Sequence, residues 1–269
     1  MSSSDFAAPS HASDAQIAAA IARAAGELLL EVQAASVGVD PKERGRQGDA
    51  QSEVFIRAQL ERYFPGDAIL SEEELRKDNR RASADRVWIV DPLDGTREYG
   101  LGGRTDWAVH IALWSRALQA SDGSSGDLLS GAVALPAQGI VLNSEGISEP
   151  GPPAHARPRV VVSASRAPQW VEAVAQAIGG EVIPMGSAGA KAGEVVLGRA
   201  DAYLHAGGQY EWDSAAPAIV ARSAGLHVSK IDGSALTYNH DDPYSPDLAI
   251  CRKELWPAIF EVIQREVTH

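Results

Sequence analysis

The stretch Trp88-Ile89-Val90-Asp91-Pro92-Leu93-Asp94-Gly95-Thr96 constrains this chain more than any other. Val87 to Val90 is a run of β-branched and aromatic residues, the pattern of a buried strand. Asp91 and Asp94 follow at its carboxyl end, where open α/β sheets bind their ligands. Pro92 lacks the N–H that a ladder needs, so the strand is expected to stop there. Gly95 permits a sharp turn and a close approach of backbone to ligand. Two carboxylates, a backbone carbonyl, amide N–H groups and the Thr96 hydroxyl are thereby crowded into a small volume. Hard cations such as Mg²⁺ take such oxygen ligands together with substrate phosphate oxygens. A turn whose aspartates merely cap it explains Pro-Leu-Asp-Gly. The full Asp-Pro-x-Asp-Gly-Thr string has a chance frequency on the order of 10⁻⁴ in a chain of this length.

A net charge of −12 argues against nonspecific nucleic-acid binding, which draws on Lys and Arg. It suits a small phosphorylated substrate only where a cation bridges the two. Cys251 is the single cysteine, so neither an internal disulfide nor a Cys-based zinc site is expected. Ile17 to Val32 is apolar, but Arg23, Glu27 and Glu31 interrupt it, which speaks against a membrane span. No basic start precedes an apolar run, so a cytoplasmic location is expected. At 45% hydrophobic and 22% charged residues, a packed core is within reach.

Along the chain, residues 1–12 are small and polar and predict a disordered tail. Ser13 followed by Gln16 is a capping-box pattern, and Ile17, Ile21, Leu28 and Val32 continue it with helical spacing. Gly38 to Gly48 reads as a charged loop, with Asp49 preceding a second helix that carries Ile56, Leu60 and Phe64. Ala68-Ile69-Leu70 is a short strand leading into Ser71-Glu72-Glu73-Glu74. Beyond the central turn, Val109, Ile111 and Leu113 alternate along a strand, with His110 on its other face as a packed or hydrogen-bonded residue rather than a ligand. Ser144 to Pro158 is rich in Pro and Gly and reads as a linker between an α/β subdomain of residues 13–150 and another of 158–269. The second subdomain reads as strands Arg159 to Ser163, Glu181 to Met185 and Asp201 to His205, with helices between them. The loop Gly186-Ser187-Ala188-Gly189-Ala190-Lys191 is not a Walker A motif, but its small residues, helix start and lysine suit an anion. Glu211-Trp212-Asp213-Ser214-Ala215-Ala216-Pro217 opens a helix, with Pro217 expected in its first turn.

Three motifs in this order, Glu72-Glu73, Asp91 to Thr96 and Trp212-Asp213, resemble those of the inositol monophosphatase superfamily. The resemblance covers nearly the whole chain from about residue 14. It implies an α/β fold, a layered αβαβα sandwich, and a Mg²⁺-dependent, lithium-sensitive phosphomonoesterase holding two or three ions. It places one ion on Glu72, Asp91 and the Leu93 carbonyl, and another on Asp91, Asp94 and Asp213. Two cations in such a site clamp the attacking and leaving oxygens and lower the pKa of a bound water. Thr96 and Asp49 would orient or deprotonate that water, so that Asp49, Thr96 and Glu72 form the catalytic set. Asp94 and the N–H groups of Gly95 and Thr96 would face the substrate phosphate. The family's Thr-x-Ala-Asp reads Arg46-Gln47-Gly48-Asp49 here, and Pro217 stands where inositol phosphatases carry Gly.

Within the superfamily, Pro217 and the Gly186–Lys191 loop lean towards the 3′(2′),5′-bisphosphate nucleotidases. The run from Asp106 to Trp114 looks close to actinobacterial CysQ-type members acting on 3′-phosphoadenosine 5′-phosphate in sulfate assimilation. The implied partner is then an adenine nucleotide, with Arg166, Ser187, Gly189 and Lys191 as nucleotide contacts. Surface basicity is the competing reading of Arg166 and Lys191. Inositol-1-phosphatase or fructose-1,6-bisphosphatase activity is the alternative within the family, and a non-catalytic metal-binding regulator the alternative outside it. Family members are often dimers.

Overall fold

The computed structural model describes residues 11–72, 79–153 and 155–267. Glu73, the second residue of the expected Glu72-Glu73 pair, and Glu74 lie outside the described residues. The first sheet has five strands, β1 (Ala68–Ser71), β2 (Arg86–Asp94), β3 (Ala108–Gln119), β4 (Ser125–Leu135) and β5 (Ile140–Asn143), in that spatial order. Only β1 and β2 run parallel; the other neighbours are antiparallel. The second sheet is ordered β7 (Glu181–Met185), β6 (Arg159–Ser163), β8 (Ala202–Tyr210), β10 (Tyr244–Cys251) and β9 (His227–Ser229). Here β7, β6 and β8 are parallel, and β10 is antiparallel to both of its neighbours.

Helices α1 (Asp14–Ala35) and α2 (Pro41–Tyr63) cover the outer face of the first sheet. Ile21, Leu29, Ile56 and Leu60 meet Trp88, Val109, Ile111 and Leu113 there. Helices α5 (Ala188–Val196) and α6 (Glu211–Ser223) fill the middle layer, touching β3 and β4 on one side and β8 on the other. Helices α4 (Val171–Ala177) and α7 (Trp256–Val267) close the far face against Val160, Val162, Leu204 and Ala249. The five layers are the αβαβα sandwich expected, with a seventh, short helix, α3 (Thr96–Leu101), at the end of β2. No described helix is long and apolar enough to cross a membrane.

Sequence and structure agree where signals are local. Ser13 caps α1 with the full capping box to Gln16. Strands β6 and β7 have the expected bounds. Four expectations are corrected. Strand β2 does not stop at Pro92 but runs on to Asp94, because the pairing slips between Asp91↔His110 and Asp94↔Ala108. Pro92 sits in that bulge, where no ladder N–H is required. Residues 41–48 are helical rather than a loop: Asp40 caps α2 by accepting from Lys42 N at 3.0 Å and Glu43 N at 3.2 Å. Asp49 therefore lies inside the helix. Pro217 lies past the first turn of α6, so it removes the amide that would otherwise bond the Asp213 carbonyl. Strand β8 also outruns its expected end at His205, reaching Tyr210 through a bulge opposite Ser245 to Asp247.

Candidate active site and metal centre

The bulge at the end of β2 and the start of α6 bring three carboxylates together. One oxygen each from Asp91, Asp94 and Asp213 lies within 4.8 Å of the others. Asp91 Oδ1 accepts from Leu93 N at 3.0 Å, which tightens the turn. Asp213 Oδ2 accepts from Tyr210 N at 2.7 Å across the first turn of α6. The Ser52 hydroxyl on α2 donates to the Pro92 carbonyl at 2.8 Å, tying that helix to the same turn.

The charges are not balanced within the described chain. Burial first, then Asp94, Asp213, Glu72 and Asp49, push the Asp91 carboxyl well above its ordinary range. Burial and then Asp94 raise Asp213 to about 6. Asp94 runs the other way: burial would raise it, but His110, Lys191 and the Ser187 hydroxyl hold it low. His110 is fully buried, with Nδ1 3.0 Å from the Trp212 carbonyl and Nε2 3.2 Å from Asp94 Oδ2, off the straight hydrogen-bond line. Both ring nitrogens face acceptors, an arrangement that suits the imidazolium. Burial opposes that charge, and Asp94 outweighs it, so the His110 pKa is raised. Oxygen donors carrying mutual repulsion in a buried turn are the donor set of a hard divalent cation, and the residues present fit one.

The other expected residues are placed as follows. Glu72 is exposed just past β1 and is not one of the three gathered carboxylates, but its charge reaches Asp91 and Asp213. Asp49 is half-buried on α2, and its charge reaches Asp91. Gly95 has φ 86°, a left-handed conformation that suits glycine, and it precedes α3. The Thr96 hydroxyl donates to the Leu93 carbonyl at 3.0 Å. Ser187 Oγ and Gly189 N both donate to Asp94 Oδ2, at 2.5 and 2.7 Å. Arg166 is exposed at the rim and donates to the Gly208 carbonyl at 3.2 Å. Lys191 is buried, which overturns surface basicity as its explanation.

A cleft adjoins the carboxylates, lined by Asp94, Thr96, Ser165, Arg166, Lys191 and Asp213. Its wall includes Tyr203, His205 and Gln209 of β8; no motif marks the first two, and Gln209 lies beyond the end expected for that strand at His205. Burial and then Lys191 lower His205 to about 4, keeping it neutral. Gly45 and Gly48 were also missed as packing residues. A Cβ on Gly45 would lie 2.8 Å from Thr96 Cγ2, and one on Gly48 2.6 Å from a Tyr99 ring carbon. Two glycines three apart on one helical face are a signal for close packing. Gly45→Ala is expected to cost about 1–3 kcal/mol through overpacking, partly offset by about 1 kcal/mol of helix propensity. Activity should fall further than thermal stability because Thr96 is what moves, and wild-type kcat/KM would contradict this.

The inositol monophosphatase family profile matches residues 11–266. Over 258 residues the chain is 48% identical to the 3′-phosphoadenosine 5′-phosphate phosphatase of Mycobacterium leprae (strain TN), with 94% of each protein covered. The 3′(2′),5′-bisphosphate nucleotidase CysQ of Escherichia coli (strain K12) is 27% identical over 81% of this chain and 91% of its own length. Inositol monophosphatase-II from Staphylococcus aureus MSSA476 shares the fold, with a TM-score of 0.73 at 18% identity, covering 93% of this chain and 95% of its own.

Proposed function

The chain belongs to the inositol monophosphatase family, and from that premise we propose that it is a Mg²⁺-dependent phosphoric monoester hydrolase acting on 3′-phosphoadenosine 5′-phosphate. Water and the 3′-phosphoester give AMP and inorganic phosphate; 3′-phosphoadenylyl sulfate would give adenylyl sulfate in the same way. The observation that carries this reading is the gathering of Asp91, Asp94 and Asp213 beside a cleft that Arg166 and Lys191 also line. The 48% identity to the M. leprae phosphatase supports the choice of substrate.

Asp91, Asp94, Asp213, Glu72 and the Leu93 carbonyl would hold the Mg²⁺ ions, two or three of them. When bound, these ions supply charge neutralisation on the phosphoryl oxygens and activation of the attacking water. The remaining work belongs to the chain. Thr96 Oγ1 donates its hydrogen bond to the Leu93 carbonyl, so its lone pairs are left to orient a water. Asp49 stands on the neighbouring helix as the group to take that water's proton. The amides of Gly95 and Thr96 steady the phosphate, and Arg166 holds the remote 5′-phosphate, so that binding energy positions the reacting end. A cytoplasmic role in sulfate assimilation fits this chemistry.

Phosphate release with Mg²⁺ from 3′-phosphoadenosine 5′-phosphate, myo-inositol 1-phosphate and fructose 1,6-bisphosphate tests the proposal. Higher kcat/KM on the nucleotide is expected. Preference for inositol phosphate would keep the metal site and overturn the nucleotide reading. No release from any substrate by folded, Mg²⁺-binding protein would favour a non-catalytic regulator. Arg166→Ala is expected to raise KM for the nucleotide about tenfold, the scale of one charge-assisted contact, with p-nitrophenyl phosphate hydrolysis unchanged. An equal loss on both substrates would contradict the role given to Arg166.

A further inference from the structure

Lys191 is a buried cation, and its ammonium bonds to backbone rather than to open solvent. Its Nζ donates to the Gly186 carbonyl at 3.0 Å and the Ser187 carbonyl at 2.6 Å, and it stands 5.1 Å from the Tyr203 ring centroid. Those two carbonyls belong to a turn in which Ser187 has φ 46° and ψ 131°, a conformation that L side chains rarely adopt. Across the middle layer, Asp106 Oδ2 accepts from Gly186 N at 2.7 Å. The product of this bracing is the pair of donors on Asp94 Oδ2, Ser187 Oγ and Gly189 N. These two donors occupy Oδ2, with His110 Nε2 close by at 3.2 Å but off the hydrogen-bond line, and Oδ1 is left as the oxygen to offer a cation.

We propose that Lys191 is a positioning residue for the cation site: by holding the Gly186 and Ser187 carbonyls it fixes the loop that orients Asp94. The inference rests on Asp94 being a cation ligand. It makes the loop beside the nucleotide and the metal site one mechanical unit, linking a strained turn of the second half to a carboxylate of the first. Groups that orient a ligand from behind commonly change metal affinity by 10–100-fold when removed. An anchor for substrate phosphate alone would leave affinity for the ion unchanged in the absence of nucleotide.

The experiment is calorimetric titration of the full chain with MgCl₂, without nucleotide, after circular dichroism has verified folding. Lys191→Met keeps the length and removes the donors; Ser187→Ala removes one donor to Asp94; Asp94→Asn is the reference. Lys191→Met and Ser187→Ala are each expected to weaken Mg²⁺ binding about tenfold or more. The double variant should be little weaker than Lys191→Met, because both act through one path. Wild-type Mg²⁺ affinity in folded Lys191→Met, with Asp94→Asn weakened, would overturn the inference while leaving the site intact. Unchanged affinity in Asp94→Asn would overturn the ligand assignment and the inference with it. If Lys191→Met does not fold, Ser187→Ala decides alone, and wild-type affinity there is again the overturning result.

Discussion

Asp91→Asn is expected to lower kcat/KM on the nucleotide by about 10³-fold or more, close to 4 kcal/mol of transition-state stabilisation. No other single substitution should cost as much, because Asp91 is the one carboxylate assigned to both ions. The loss must come from function rather than folding. Asp91 is buried, and burial together with Asp94, Asp213, Glu72 and Asp49 disfavours its charge, so a neutral amide relieves repulsion in the metal-free protein. Thermal melts without Mg²⁺ should therefore show the variant at least as stable as wild type. A variant that is inactive because it melts early, or one that keeps wild-type turnover, would contradict the role given to Asp91.

Metal removal is expected to have an effect of similar size on activity and a pH-dependent one on stability. Chelation should abolish turnover, and Mg²⁺ at about 100 times its Kd should add about 2.7 kcal/mol, roughly 5–10 °C in Tm. The sign of the pH dependence follows from the carboxylates. Asp213 is raised to about 6 by burial and Asp94, and Asp91 is raised in the same direction. A raised carboxyl pKa gives stability that is complete below the unfolded value, near 4, and lost as pH climbs through the folded one. His110 acts in the same direction; its pKa is raised because Asp94 outweighs burial. Asp94, held low, contributes nothing that changes between pH 5 and 7.5. His205, lowered to about 4 by burial and then Lys191, opposes them over the same window, so the Mg²⁺-dependent shift rather than the metal-free melt carries the sign. The Mg²⁺ shift should be largest at pH 7.5 and shrink at pH 5, where protons compete for the same oxygens. Scanning calorimetry at both pH values measures it, and a Mg²⁺ shift independent of pH would contradict it.

The acidic donors were legible because their signals are short: a strand ending in Asp-Pro-x-Asp-Gly-Thr and a Trp-Asp helix start each carry their chemistry within a few residues. The layers were legible through the family those motifs resemble. Gly45 and Gly48 misled because their purpose is the close approach of Thr96 and Tyr99, some fifty residues on, so in the sequence they looked like a loop. Pro92 misled because a bulge excuses its missing N–H, and a bulge depends on the pairing partner His110 rather than on the strand itself. Lys191 could not be told from a surface lysine, since its burial is set by β8 and by the carbonyls of its own strained turn. His110 is the packed, hydrogen-bonded residue expected, but its approach to Asp94 appears only when β3 is laid beside β2.

Product analysis is the measurement that tests the central claim most directly. The chain should be incubated with 3′-phosphoadenosine 5′-phosphate and Mg²⁺, and the nucleotide products separated by chromatography. The expected result is AMP and inorganic phosphate in equal amounts, lost on chelation and in Asp91→Asn. Adenosine 3′-phosphate as the product, or AMP formed equally well without a divalent cation, would contradict the proposed function.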